Sequence, residues 1–212
     1  MFAASSLTEV FQAIDPNAAF NFAGSDDLAT QIKENAPADV YAAASPKYPK
    51  ELFKAGLAEK PQVFATNSLV LVVPTSNPAR IESVADLGRK GVKLVIGAEG
   101  VPIGDYTRTV LENMGATNVL TNVVSQEDDV KGVVGKVALG EADAGFVYVT
   151  DVKPVAAKVR AIELPDSAQA RVEYEIAVVK GTDHRGAAQE FVDRVLAKDG
   201  RRALLKAGFG LP

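Results

Sequence analysis

The sequence contains no cysteine and a single histidine, His184. Without thiols there can be no disulfide framework, thiolate zinc site, iron–sulfur cluster or cysteine nucleophile, and such a chain suits any compartment, an oxidising one included. A lone histidine has no partner histidines for a metal; in Thr182-Asp183-His184-Arg185-Gly186 it reads as a solvated residue at the start of the last long helix. An excess of positive charge is missing too. Lys and Arg number 23 against 27 Asp and Glu, a net charge of −4, so a nucleic-acid backbone is not an expected partner. No stretch reaches the roughly 18 to 20 uninterrupted apolar residues of a membrane span. The nearest, 61–79, is interrupted by Gln62, Thr66, Asn67, Ser68 and two further prolines, and reads as strand. The chain opens at Met1-Phe2-Ala3-Ala4 like the end of a strand, with no signal segment before it, which does not argue for the cytoplasm.

Familiar enzyme signatures are absent as well. No serine stands in a Gly-x-Ser-x-Gly elbow. Gly132-Val133-Val134-Gly135-Lys136-Val137 has the wrong glycine spacing for a phosphate loop and no Ser or Thr after the lysine, and a helical pattern runs through it. Gly97-Ala98-Glu99-Gly100 fails the dinucleotide fingerprint. The acidic pairs Asp26-Asp27 and Asp128-Asp129 stand at expected helix starts, where they complement the macrodipole. The chain is therefore expected not to be an enzyme and to carry no cofactor.

What is present is a core. With 212 residues, 47% of them hydrophobic, the chain can fold as one large domain or two small lobes. Short β-branched runs alternate with amphipathic stretches, the pattern of an α/β architecture. Strands are expected near 1–4, 19–23, 39–43, 69–73, 93–96, 119–124, 144–149 and 174–179. Helices are expected near 7–14, 26–35, 47–55, 83–88, 104–115, 127–139, 150–157, 184–198 and 200–207. In helix 127–139, Val130, Val133, Val134 and Val137 share one face, with Glu127, Lys131 and Lys136 open to water. The uncharged run Leu69 to Val73 suits a strand covered on both faces. Punctuation at Pro74 to Pro78 and at Pro165 to Arg171 suggests two crossings, giving lobe 1 as 1–74 plus 172–212 and lobe 2 as 75–171.

The informative residues lie where strands are expected to run into helices. Ser5-Ser6-Leu7-Thr8, Gly24-Ser25-Asp26-Asp27, Val101-Pro102-Ile103-Gly104 and Ser125-Gln126-Glu127-Asp128 each read as a helix N-terminus with free backbone donors, and each serine alone reads as an ordinary N-cap. Several such starts converging would cradle an anion. No Lys or Arg lies in these turns; the nearest, Arg108 and Lys131, fall inside helices. Such a site would hold an anion by neutral hydrogen bonds, with cavity size and donor geometry setting selectivity.

The runs Phe2-Ala3-Ala4-Ser5-Ser6-Leu7-Thr8, Phe22-Ala23-Gly24-Ser25, Ala36-Pro37-Ala38-Asp39-Val40-Tyr41-Ala42, Asn67-Ser68-Leu69-Val70-Leu71-Val72-Val73-Pro74, Val101-Pro102-Ile103-Gly104-Asp105-Tyr106, Glu127-Asp128-Asp129-Val130, Gly145-Phe146-Val147-Tyr148 and Tyr174-Glu175-Ile176-Ala177-Val178-Val179-Lys180-Gly181 resemble, in order, the molybdate-binding proteins of ABC importers. The resemblance implies a two-lobed periplasmic-binding-protein type II fold. Each lobe would be a mixed β-sheet flanked by helices, with molybdate or tungstate in the interlobe cleft and binding favouring a closed state. It implies hydroxyl donors Ser6, Ser25 and Tyr148 and amide donors Ile103 and Val130, with the Ser6 and Ser25 amides adding to them. The metal would be present only as the bound oxyanion. It implies a monomer outside the cytoplasm, soluble or lipid-anchored, with a membrane permease as partner.

Ile103 stands where the family commonly has a small residue, and its side chain would tighten the cavity. Glu175 replaces a frequent proline, with little consequence expected for the site. Asp39 and Asp151 are expected to bond backbone amides. Asp26, Asp27, Asp105, Glu127 and Asp128 neighbour the site and are expected to point outward. The alternatives are a sulfate or phosphate binder, phosphate needing an acceptor such as Asp105, and the ligand-sensing domain of a transcription regulator.

Overall fold

The computed structural model describes all 212 residues. In chain order the elements are β1 (Phe2–Ala4), α1 (Thr8–Ile14), β2 (Asn21–Ala23), α2 (Ser25–Lys33), β3 (Val40–Ala43), α3 (Lys47–Lys54), β4 (Gln62–Asn67), β5 (Leu69–Pro74), β6 (Leu94–Gly97), α4 (Pro102–Asn113), β7 (Val123–Glu127), α5 (Val130–Ala138), β8 (Ala144–Tyr148), α6 (Val149–Val152), β9 (Val159–Glu163), β10 (Val172–Val178), α7 (Arg185–Leu196) and α8 (Lys198–Ala207). Contacts divide the chain into one unit of Met1–Asn67 with Val172–Pro212 and another of Ser68–Arg171. No helix is long and apolar enough to cross a membrane.

Each unit holds one five-stranded mixed sheet, in the orders β2-β1-β3-β10-β4 and β7-β6-β8-β5-β9. The layout is the same in both. Three parallel strands (β2, β1, β3 or β7, β6, β8) are followed by one antiparallel strand, β10 or β5, which pairs on its other side with an edge strand running antiparallel to it. No repeat in the sequence announces this equivalence.

The sequence places the first crossing at 74–78, but the structure places it between Asn67 and Ser68. The strand assigned to lobe 1, β5, pairs with β8 and β9 inside the second unit's sheet, and all six of its residues are buried. The uncharged run 61–79 thus supplies two strands to two different sheets. Pro74 does not break β5. Its lack of an N–H is tolerated at the strand's last residue, opposite Val159.

Two further boundaries move. The 119–124 segment is a 3-10 turn over Thr117–Asn122, and the strand occupies Val123–Glu127 instead, which delays α5 to Val130. The segments 83–88 and 150–157 are a 3-10 turn and a short helix with a 3-10 turn rather than full helices. The edge strands β4 and β9 are additional to the expected set.

Packing fixes where the strand ends lie. In the first unit, Phe11 meets Phe20, Phe64 and Phe191 at ring centroid distances of 6.0, 5.9 and 5.3 Å. A separate cluster of Leu28, Ile32, Tyr41, Tyr48 and Leu52 packs α2 and α3 together with β3. In the second unit the expected valine face of α5 is buried, each valine contributing about 1.5–3 kcal/mol. Lys131 and Lys136 are half-buried and ion-paired, with Asp151 (3.3 Å) and Glu127 (2.8 Å), rather than simply solvated. A Cβ on Gly145 of β8 would sit 2.9 Å from Val133 Cγ1, 3.0 Å from Val95 Cγ1 and 3.1 Å from Val137 Cγ2, so the glycine lets α5 close onto the sheet.

Glu175 is 3% exposed in β10, at the irregularity beside Tyr174. Its Oε2 is buried without a hydrogen-bond partner, and Oε1 lies 3.4 Å from Lys50 Nζ. Desolvation raises its pKa, against the opposing pull of Lys50. A carboxyl whose folded-state pKa is raised binds its proton more tightly when folded. Its stabilising effect is therefore full below the ordinary carboxylate range, roughly pH 4.3, and is lost as pH rises through the raised value.

Glu175→Gln is accordingly expected to raise the melting temperature at pH 7 and to change it little near pH 4, as read by circular dichroism; no gain at pH 7 would contradict the sign. Gly145→Ala is expected to destabilise the protein by about 1–3 kcal/mol in urea unfolding, through overpacking against the three valines.

Candidate functional site

All five sequence-predicted residues lie at or just past the carboxyl ends of parallel strands. Ser6 follows β1 and Ser25 follows β2 in the first unit; Ile103 follows β6, Val130 follows β7 and Tyr148 ends β8 in the second. In open α/β sheets this is the end where ligands bind. By the shared strand order, β1 and β2 of the first sheet correspond to β6 and β7 of the second. The serine turns of one unit and the amide turns of the other are therefore topological equivalents.

In the first unit, Ala4 pairs with Ala23, so the turns carrying Ser6 and Ser25 leave adjacent strands at the same level. Neither serine is an N-cap, contrary to the ordinary reading. Ser6 lies inside a 3-10 turn that begins after Ala4, Ser25 is the first residue of α2 after Gly24, and no side-chain cap bond forms at either start. Their hydroxyls are buried and held from other strands. Ser25 Oγ accepts the Ala44 amide (3.1 Å), which leaves its own proton to donate. The Tyr41 hydroxyl donates to the Ser25 carbonyl (2.6 Å); desolvation raises that phenol well above its ordinary pKa and keeps the donor neutral.

Ser6 Oγ lies 2.9 Å from the Tyr174 hydroxyl, which also accepts from Asn67 Nδ2 (3.4 Å). Either hydroxyl can donate in this pair, and with Tyr174 as the donor the serine proton is free for a further acceptor. Sequence reasoning missed Tyr41, Asn67 and Tyr174 as supports. The signal was that all three stand within the family-like runs, one on each of the strands β3, β4 and β10.

In the second unit, α4 is seated on the end of β6 through two glycines. A Cβ on Gly104 would come 2.1 Å from the Ala98 carbonyl oxygen and 2.4 Å from that of Gly97, and one on Gly97 would meet Ile103 Cγ2 at 2.7 Å. The Ile103 side chain therefore lies over Gly97. Pro102, at the first helical position, has no amide, and the Asp105 amide is taken by the Val101 carbonyl (3.0 Å), so the donors at the α4 start are Ile103 and Gly104. Arg108 spends its guanidinium on the Gly104 carbonyl (2.9 Å), the Gly97 carbonyl (3.3 Å) and Gln126 Oε1 (3.1 Å), staking α4 to β6 and β7.

The start of α5 differs from the sequence expectation. Ser125 is in β7, where its hydroxyl donates to Glu127 Oε1 (2.6 Å) and accepts from Lys136 Nζ (2.7 Å); it caps nothing. The N-cap is Asp129, whose carboxylate accepts the Gly132 amide (2.9 Å), leaving the Val130 amide at the helix mouth. Tyr148 is 1% exposed with its hydroxyl buried, and pairs with Leu69 of β5.

The neighbouring carboxylates do not all point outward. Asp27 and Asp128 are exposed, but Asp26 is half-buried, Asp105 turns onto the Gly100 amide (2.9 Å) and Glu127 pairs with Lys136. Partial burial pushes the Glu127 carboxyl up, but Lys136 and Ser125 outweigh it and hold it low. The Asp39 side chain takes the Thr182 hydroxyl and lies 3.2 Å from His184 Nδ1, rather than bonding backbone amides. Asp151 pairs with Lys131. His184 is the N-cap residue of α7 and is solvated as expected, its side chain 74% exposed, with Nδ1 3.2 Å from Asp39 Oδ1. No group of three or more His, Cys, Asp or Glu side chains is arranged to hold a metal ion.

The family model for bacterial extracellular solute-binding proteins matches residues 3–210. The chain is 43% identical to the molybdate-binding protein ModA of Mycobacterium tuberculosis H37Rv, covering 100% of this chain and 84% of that relative. It is 31% identical to the molybdate-binding protein ModA of Escherichia coli K12, covering 99% and 87%. The solved structure of the Azotobacter vinelandii periplasmic molybdate-binding protein matches in fold, with a TM-score of 0.86 at 21% identity over 100% of this chain and 98% of that one. With the family model spanning nearly its whole length and relatives this similar, the chain belongs to the bacterial extracellular solute-binding proteins, in one family with these molybdate-binding proteins.

Proposed function

We propose that this protein captures molybdate, and tungstate with it, outside the cytoplasmic membrane and delivers it to the permease of an ABC importer. The observation that carries this reading is the set of five buried residues at the carboxyl ends of parallel strands, Ser6, Ser25, Ile103, Val130 and Tyr148, each offering a hydroxyl or a helix-start amide. The names of the relatives support the choice of ligand. The protein acts as a monomer, binds and releases its ligand unchanged, and needs no cofactor.

Neutral donors suffice on energetic grounds. Hydrogen bonds to a charged acceptor contribute roughly 1.5–3 kcal/mol each, so about seven offset much of a dianion's desolvation. Arg108 is occupied by carbonyls and Lys131 by Asp151, which supports a site that selects by size and donor geometry rather than by charge.

Ser25→Ala and Tyr148→Phe each remove one donor and are expected to weaken molybdate binding about tenfold or more in calorimetric titration. Unchanged affinity in either variant would strike that residue from the site.

A further inference from the structure

The second unit contains an ion pair between two of its donor-bearing turns. Lys131 follows Val130 in the first turn of α5, and Asp151 lies three residues after Tyr148 in α6. Lys131 Nζ is 3.3 Å from Asp151 Oδ1; the aspartate side chain is 0% exposed and the lysine side chain 29%. The helices follow β7 and β8, which are not neighbours, since β6 runs between them. The pair therefore ties together two strand ends that the sheet's own hydrogen bonds do not join directly.

It also disposes of a charge. Lys131 adjoins the Val130 amide, and a free ammonium there would attract any anion irrespective of its size. Opposed by a fully buried carboxylate it adds no net charge, and the carboxylate, costly to bury alone, holds the lysine in one place.

We propose that Lys131 and Asp151 are positioning residues of the oxyanion site. The pair sets the Val130 amide relative to the turn after Tyr148 and withholds the lysine's charge, so that discrimination among oxyanions rests on donor geometry. This rests on the reading of Val130 and Tyr148 as donors.

The test titrates molybdate and sulfate into the full chain and into Asp151→Asn, Lys131→Met, Lys131→Arg and Tyr148→Phe at low and high NaCl, with circular dichroism to confirm folding. Asp151→Asn is expected to bind molybdate about tenfold more weakly at high salt. Its affinity for both anions should fall steeply as salt rises, because the freed ammonium is screened. Lys131→Met is expected to lose affinity without acquiring that salt dependence, and Lys131→Arg to restore the parent's behaviour. If Asp151→Asn fails to fold, the two Lys131 variants decide. Parental affinity, salt dependence and molybdate-to-sulfate ratio in Lys131→Met, alongside weakened binding in Tyr148→Phe, would overturn the role of the pair and leave the site standing. Parental binding in Tyr148→Phe as well would overturn both.

Discussion

The first amides of a helix have no acceptor within that helix, and in this chain four parallel strands run almost directly into such helix starts. That constraint organises much else in the structure. The turn after β1 stays short enough to keep Ser6 level with Ser25, because Ala4 and Ala23 pair at the last residue of each strand. Gly97 and Gly104 lack side chains because α4 sits so close on β6 that a Cβ on either would strike backbone or Ile103. Gly145 does the same for α5 on β8. Each glycine costs backbone entropy; Gly97 and Gly104 let the α4 start reach the end of β6, and Gly145 lets the body of α5 close onto β8.

Charge is managed around these mouths by pairing rather than by exclusion. Glu127 is opposed by Lys136, Asp105 by the Gly100 amide, Asp151 by Lys131, and Arg108 is spent on two carbonyls and Gln126. The serine hydroxyls are oriented from behind by neutral groups, Ala44 for Ser25 and Tyr174 for Ser6. In the proposed site these hydroxyls and helix-start amides present protons rather than a positive charge, which suits a carrier that must also let its ligand go.

The strand-to-helix turns were legible in the sequence because Ala4-Ser5-Ser6, Gly24-Ser25 and Pro102 are local signals, and the valine face of α5 shows in its spacing. Of the edge strands, β2 was legible, but β4 and β9 were not and β7 was placed too early. β9 has mostly half-buried or exposed residues, and β7 leaves Val124 59% exposed, so neither carries the buried run or clean alternation that marks a central strand. The apolar Val119 and Leu120 drew the expected strand too early. The unit boundary was missed because Asn67 and Ser68 break an uncharged run less visibly than Pro74 does, although Pro74 lies within a strand. Supports such as Tyr41 and Tyr174 could not be told from core aromatics, since their role is set by which serine lies across the sheet. The tie between Lys131 and Asp151 joins positions twenty residues apart whose strands are not adjacent, and only folding reveals it.

In the proposed site, neutral donors of fixed geometry select the ligand. The most direct test is calorimetric titration of the ligand-free protein with molybdate, tungstate, sulfate and phosphate in one buffer. Tight one-to-one binding of molybdate and tungstate, with little response to sulfate and phosphate, is the predicted result. Equal binding of all four dianions, or none at all, would contradict it.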